Sequence, residues 1–389
     1  MSFSLLMAML ALLVWLYLVL LHGGFWRIGE REEDYAGAGA APPNDGWPRV
    51  AVVIPARNEA DMIPRGLASL AAQDYPGEFS IVLVDDQSTD GTAEAALAIA
   101  RGSARAITVI RGAPLPPAWT GKVWALDQGI RAASAAELEP DYLLLTDADI
   151  AYEPGVVTSL VRRAVTEKRV LTSVMAKLNC ESFAEHALVP AFIFFFQMLY
   201  PFAWSNRADR ATAAAAGGCM LVKRAALEKA GGIGAIRGAL IDDCSLAAVM
   251  KLQGLIWLGL SERVVSLRHY PEIEDIRRMV ARSAYAQLRY SPLLLVGTVA
   301  GMALVYVAPL IIALFGSWPA NAVAALAYLL MVIAIQPTLR FYNRSGLWGV
   351  ALPVIAAAYL GFTLDSAYQH SRGRGGMWKG RVQAEAGKQ

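Results

Sequence analysis

FSIVLVDDQSTDGT, residues 79–92, decides the fold. Phe79–Val84 is a short apolar run rich in β-branched residues and reads as a buried strand. It ends in an acidic turn, and Asp90-Gly91-Thr92 opens a helix that runs to about Arg101. The same punctuation recurs on both sides. Arg49–Ile54 (RVAVVI) is a strand, followed by Pro55-Ala56-Arg57-Asn58-Glu59 and a helix through Pro64–Ala72. Ile107–Ile110 is a third strand. Asp141–Leu145 (DYLLL) is a fourth, followed by Thr146-Asp147-Ala148-Asp149 and a helix from Glu153 to Lys168. Strands alternating with helices predict an α/β domain with a mainly parallel sheet over residues 47–290. Ligands of such sheets bind beyond the carboxyl ends of the strands. Here those ends gather carboxylates from three separate loops.

The acidic loops exclude two common nucleotide sites. No G-x-G-x-x-G turn follows the first strand, and a P-loop ending at Gly121-Lys122 would need glycine where Pro116 stands. Carboxylates instead suit a site that holds phosphates through a metal. In Asp147-x-Asp149 two carboxylates just past a strand end can face one hard cation, magnesium or manganese, which takes oxygen ligands. Solvated turn aspartates are the plainer reading of that pair. Asp86 can accept a hydrogen bond from the N3–H of uracil, while Asp85 reads as structural, and Ser88, Thr89 and Asp90 as local turn chemistry.

Four further groups join the set. Lys122 (WTGKVWAL) opens a helix after a proline-rich loop and can reach a donor's phosphates, with a surface lysine as the alternative. Asp242-Asp243 (GALIDDCSLA) starts an apolar helix. An N-cap is the default reading, and a general base at Asp243, serving sugar transfer with inversion, the sharper one. Gly217-Gly218-Cys219-Met220 implies a close backbone approach, with Gly218, Cys219 and Asp242 on the acceptor side, or simply a tight turn into a strand. Gln287 and Arg289 (QLRY) offer an amide and a guanidinium to a diphosphate, or form a membrane-border Arg-Tyr pair. His269 is a candidate metal ligand or, as a lone histidine, a structural one, and Asn343-Arg344-Ser345 reads as a chance sequon.

Of 389 residues, 56% are hydrophobic and 17% charged, which leans towards a membrane; a net charge of +2 gives no case for nucleic acid. Phe3–Leu21 is long and apolar enough to span a bilayer and reads as an uncleaved anchor, with Arg27 and Arg31 holding the downstream chain in the cytoplasm. Leu293–Phe315, Ala320–Ile335 and Leu347–Leu364 are further candidate spans. Three spans would leave the tail outside, whereas its Arg372, Arg374, Lys379 and Arg381 favour the inside. Ala187–Trp204, broken by Pro190 and Pro201, reads as a helix in the interface or a buried core helix. The expected organisation is an anchor (1–24), a Gly/Ala/Pro-rich linker (25–46), the α/β domain (47–290, with the interfacial helix at 187–204), membrane helices (291–366) and a basic tail (367–389). Cys180, Cys219 and Cys244 read as buried thiols of a reducing compartment.

The ordered set PARNE, VDDQSTDGT, TGK, TDAD, GGCMLVKR, IDD and QLRY resembles inverting glycosyltransferase family 2 with its GT-A fold, and covers about residues 49–290. The ceramide glucosyltransferase type is the nearest broad group. FIFFFQMLYPFAW, AIRGALIDDC, QLRYSP and GGMWKGR resemble the hopene-associated glycosyltransferases of hopanoid-producing bacteria. That resemblance implies a UDP-sugar donor, with uridine against Pro55, Arg57, Glu59 and Asp86, a Mg2+ or Mn2+ diphosphate at Asp147 and Asp149, and Asp243 as base. It implies a hopanoid or similar membrane-lipid acceptor, and a multi-pass protein of the bacterial inner membrane with its catalytic domain facing the cytoplasm. The family's Q-x-x-R-W segment is only partly kept, with Ala286 in the first position and Tyr290 in the last, which speaks against a processive polymerase. The alternatives are a polyprenyl-phosphate sugar transferase and a non-catalytic membrane scaffold that keeps the fold.

Overall fold

A computed structural model of the chain describes residues 2–33, 46–135, 139–378 and 381–382. Residues 34–45 of the expected linker, and Lys379, Gly380 and 383–389 of the expected tail, lie outside the described residues. Two compact units emerge. One comprises Glu30–Asn179, Trp204–His269 and Trp378–Gln389, the other Met1–Gly29, Cys180–Ala203 and Tyr270–Met377.

The first unit is built on β1 (Val50–Ala56), β2 (Phe79–Asp85), β3 (Ala106–Arg111), β4 (Tyr142–Thr146), β5 (Ile150–Tyr152), β6 (Arg169–Lys177), β7 (Cys219–Lys223) and β8 (Leu255–Ser266). Their order across the sheet is β3-β2-β1-β4-β7-β6-β8-β5. The four strands read from the sequence form its parallel half. β7 then runs antiparallel to both β4 and β6, β8 is parallel to β6, and β5 is antiparallel to β8.

β1 is buried along its whole length because both faces are covered. Val50, Val52 and Ile54 enter one core with Ile63, Leu67 and Leu70 of the Ile63–Ala71 helix. Ala51 and Val53 enter a second with Val123 and Leu126 of the Gly121–Ser134 helix. The two-residue period of the strand thus divides one apolar run between two helix layers. Gly66 lets the first of these helices rest on the turn after β4. A Cβ there would stand 2.6 Å from the Ala148 carbonyl oxygen and 3.1 Å from that of Ile150.

Among the described residues, five helices are long and apolar enough to cross a membrane, and all but the last two residues of the second fall in the second unit: Phe3–Leu20, Phe183–Ser205, Pro292–Phe315, Ala320–Phe341 and Gly346–Ser371. The second of these was expected within the α/β domain, yet Cys180–Ala203 groups with the apolar helices, as does Tyr270–Met377. Its first turn is fixed by a capping box between Ser182 and Glu185, and it continues through Pro190 to Leu199. Ala184, Leu188, Val189, Ile193 and Phe194 are buried, and the Leu188 carbonyl accepts the Tyr359 hydroxyl at 2.8 Å. Apolar side chains covered by neighbouring helices, rather than one face laid flat, account for that grouping. The last helix runs to Ser371, past the expected boundary at 366. Cys219 and Cys244 are buried free thiols as read, whereas Cys180 is only half-buried.

Gly66→Ala forces a methyl group against a backbone carbonyl that cannot swing aside. The substitution should cost about 1–3 kcal/mol and lower the apparent melting temperature of the detergent-solubilised chain. An unchanged melting temperature would contradict the close approach.

Candidate active site

The strand ends are stitched together before any side chain is free to do chemistry. Pro55 and Ala56, expected in a loop, lie within β1, which pairs with β2 as far as Ala56 opposite Asp85. The β1–β4 ladder stops at Val53 opposite Leu145, so Pro55, without an N–H, falls beyond it. Asn58 and Gln87 then adopt left-handed backbone (φ 50° and 58°) and turn the two loops towards one another. Asn58 N–H donates to Ser88 Oγ (2.9 Å), Thr89 N–H to Asn58 Oδ1 (2.9 Å) and Ala60 N–H to Asp90 Oδ2 (3.0 Å). Asp85 is structural as read, its Oδ1 accepting the Ser88 N–H at 3.1 Å. Arg57 donates to the Asp86 carbonyl at 2.5 Å. The Asp86 carboxylate, assigned to the base from sequence, is fully enclosed and lies 3.9 Å from Arg57 Nη1.

Beyond β4 the two aspartates of the D-x-D face different cations. Lys122 Nζ stands 2.8 Å from Asp147 Oδ1 and 3.1 Å from Asp242 Oδ2. Loss of solvent would lower the lysine's pKa, but the carboxylates of Asp147 and Asp242 more than reverse this and hold it well above the ordinary value. Asp147 is pushed up by loss of solvation in the recess, partly offset by Lys122, although its side chain keeps 35% of its surface accessible. Asp149 meets Arg268, whose Nε donates to Oδ2 at 2.7 Å. The same guanidinium reaches Glu59 Oε1 and Oε2 at 2.7 and 2.9 Å.

Asp242 and Asp243 occupy the first turn of the Asp242–Lys251 helix. Neither is the N-cap, which is Ile241. Asp243 Oδ2 accepts the Gly217 N–H at 3.0 Å and Oδ1 accepts the Cys244 N–H at 2.7 Å. Removal from solvent, then the neighbouring Asp242, push its carboxyl up to about 6 against the pull of Lys122 and the two N–H groups. A Cβ at Gly217 would lie 2.9 Å from Lys122 Nζ and 3.5 Å from Asp243 Oδ2, so the backbone passes close to both groups. The Gly218 carbonyl accepts the Thr146 and Tyr152 hydroxyls (2.8 and 3.2 Å), tying the end of β4 to the start of β7 at Cys219.

The structure thus brings Lys122, Asp147, Asp242, Asp243 and Gly217 together, with Asp149, Arg268 and Glu59 forming a second cluster that shares the D-x-D turn. Gln287 and Arg289 belong to the helical unit. There the Gln287 amide exchanges hydrogen bonds with the Tyr200 hydroxyl, while Arg289 and Tyr290 adopt left-handed backbone. Sequence reading missed Arg268. Its signal was an arginine just past a strand end, beside the exposed His269 that drew attention instead and that contacts the Asn179 amide.

Residues 51–231 match the family described as Glycosyl transferase family 2. This is a family 2 glycosyltransferase domain. The protein is an enzyme of the glycosyltransferase class, and its α/β sheet is of the GT-A type. The fold is similar over 95% of this chain and 99% of the other to the mannosyltransferase PcManGT from Pyrobaculum calidifontis, solved in complex with GDP-Man and Mn2+ (TM-score 0.56, 20% identity). More distant likenesses are to S. aureus TarS 1-349 with UDP-GlcNAc (TM-score 0.40, 14% identity, 84% of this chain and 92% of that) and to glucosyl-3-phosphoglycerate synthase from Mycobacterium tuberculosis with Mn2+ and UDP-Glc (TM-score 0.37, 19% identity, 62% and 79%). No curated protein matches the glycosyltransferase in sequence.

Lys122→Met would leave Asp147 and Asp242 facing each other without a cation, at a cost of about 2–3 kcal/mol once partial exposure is allowed for. Asp147, already pushed up by burial, would lose the cation that offsets it, so its protonation favours the folded state, a benefit lost as pH rises through the folded pKa. Thermal scans should show the deficit of this variant shrinking between about pH 7.5 and about pH 5. A deficit independent of pH would contradict the bridge.

Proposed function

We propose that this glycosyltransferase moves a sugar, with inversion, from a UDP-sugar to a hydroxyl group of a membrane lipid, a hopanoid or a similar polycyclic or sphingolipid-like alcohol. The observation that carries this reading is the pairing of Asp147 with Asp242 through one lysine, which sets a D-x-D carboxylate near Asp243, the base candidate next in the chain to Asp242. The donor's nucleoside would lie against Pro55, Arg57 and Glu59, with the enclosed Asp86 acting through Arg57.

Asp147 and Asp149 fit Mg2+ or Mn2+, since each presents hard carboxylate oxygens at the end of one strand. Among the described residues no group of three or more His, Cys, Asp or Glu could enclose an ion, which suits a cation whose remaining ligands are substrate phosphates. When bound, it would neutralise charge on the departing diphosphate. Asp243 would take the proton of the acceptor hydroxyl as its oxygen bonds to the anomeric carbon and the carbon–oxygen bond to the diphosphate breaks. Its raised pKa makes it a stronger base than an ordinary aspartate while leaving it ionised at neutral pH. The N–H groups of Gly217 and Cys244 fix its orientation.

A lipid acceptor is supported by the five helices, among the described residues, that are long and apolar enough to cross a membrane. Arg27 and Arg31 following the first of them support a bacterial inner-membrane protein whose catalytic domain faces the cytoplasm.

Transfer of radiolabelled sugar from UDP-sugars into a lipid extract tests the reading. Label in the organic phase is the expected result; transfer only to water-soluble acceptors would overturn the lipid acceptor. Asp243→Asn should lower the rate by about 10²–10⁴-fold, whereas full activity in that variant would point to an acceptor phosphate that needs no base. In the native chain kcat/KM should fall on the acid side with a midpoint near 6, as Asp243 becomes protonated. Chelation with EDTA should abolish transfer, and Mn2+ or Mg2+ should restore it.

A further inference from the structure

Arg268 spans two carboxylates that belong to different loops, yet the loops do not depend on it for their attachment. The D-x-D turn is already bound to the segment carrying Arg268 through its backbone: Leu267 N–H donates to the Asp149 carbonyl at 2.7 Å, and Ile150 pairs with Ser266. The PARNE loop is already bound to the next loop, with Glu59 N–H donating to Thr92 Oγ1 at 2.8 Å. What the guanidinium adds is charge. It lies on Asp149 and Glu59, whose side chains are 14% and 10% exposed, while its own is 29% exposed. Two acidic groups so placed repel one another, and the arginine is the cation that both of them contact.

We propose that Arg268 is the resting counter-ion of Asp149, competing with the divalent cation for that carboxylate and transferring to the donor's diphosphate when the cation takes its place. The proposal rests on the metal-assisted donor reading given above. A divalent ion arriving alone must share Asp149 with a guanidinium of the same sign, which weakens its binding. An ion arriving with a diphosphate brings oxygens that receive the displaced arginine, and a planar fork of N–H donors suits those oxygens. Cation and nucleotide therefore strengthen each other's binding, by a factor that is the same in either direction. Arg268 is a positioning residue in this scheme for the cation, and a binding residue for the diphosphate.

Mn2+ binding to the full-length, detergent-solubilised chain, read from loss of the free-Mn2+ EPR signal with and without UDP, tests this apart from catalysis. In the native chain UDP should tighten Mn2+ binding strongly. Arg268→Met should bind Mn2+ alone about tenfold more tightly, the value of one charge pair relieved in a half-buried site, and should lose most of the gain on adding UDP. Arg268→Lys keeps the charge without the two-carboxylate reach and should fall between, so the test survives should the methionine variant not fold. Mn2+ binding that is unchanged or weaker in the variants, with the UDP gain intact, would overturn the role of Arg268 alone. A native chain that binds no Mn2+ with or without UDP would sink the donor-site reading, and this proposal with it.

Discussion

One ammonium group joins the two halves of the catalytic unit. Lys122 sits at the start of the Gly121–Ser134 helix and touches carboxylates from the end of β4 and from the first turn of the Asp242–Lys251 helix. These segments are about a hundred residues apart, and without the lysine their negative charges would drive them apart in a recess that solvates them poorly. Each constraint around the lysine serves that arrangement. Gly217 yields the space the ammonium occupies, and the neighbouring N–H groups hold Asp243 at its side.

The antiparallel insertion of β7 is what makes the meeting possible. In the parallel half the strands end at this edge of the sheet. β7 instead begins at Cys219 opposite Thr146, so the Gly217-Gly218 turn lies at the carboxyl end of β4. The Thr146 and Tyr152 hydroxyls lock that turn through the Gly218 carbonyl, and Gly66 lets a helix back the D-x-D turn from another side. The site is rigid on its backbone side. Its side chains, by contrast, are arranged by charge, which leaves them free to exchange partners when charged ligands arrive.

Much of this was legible in the sequence, for physical reasons that also mark where legibility ended. β1, β2 and β4 announce themselves because a strand covered on both faces is a continuous apolar run closed by a polar turn, β3 is an edge strand with no buried residue that shows by its β-branched residues, and each of the four lies where it was read, within one or two residues at its ends. Pro55 misled at one end, since proline suggests a break, yet it falls just past the β1–β4 ladder and so is tolerated inside the strand. β5, at three residues, is too short for any period to declare itself. The direction of β7 depends on partners that no local pattern names. Arg268 escaped because its place just past a strand end does not name its partners; only the fold brings Asp149 and Glu59 to it. The Phe183–Leu199 helix was visible as an apolar stretch, but composition cannot say which neighbours cover it.

The central claim is that acidic loops far apart in sequence form one donor-and-acceptor centre around Lys122. A structure of the full chain solved with a UDP-sugar and Mn2+, with the ion located by its anomalous scattering, tests it most directly. The account predicts the ion on the carboxylates of Asp147 and Asp149 and the anomeric carbon of the sugar turned towards Asp243. A nucleotide bound away from the ends of β1, β2 and β4, or an ion bound without either of those aspartates, would contradict it.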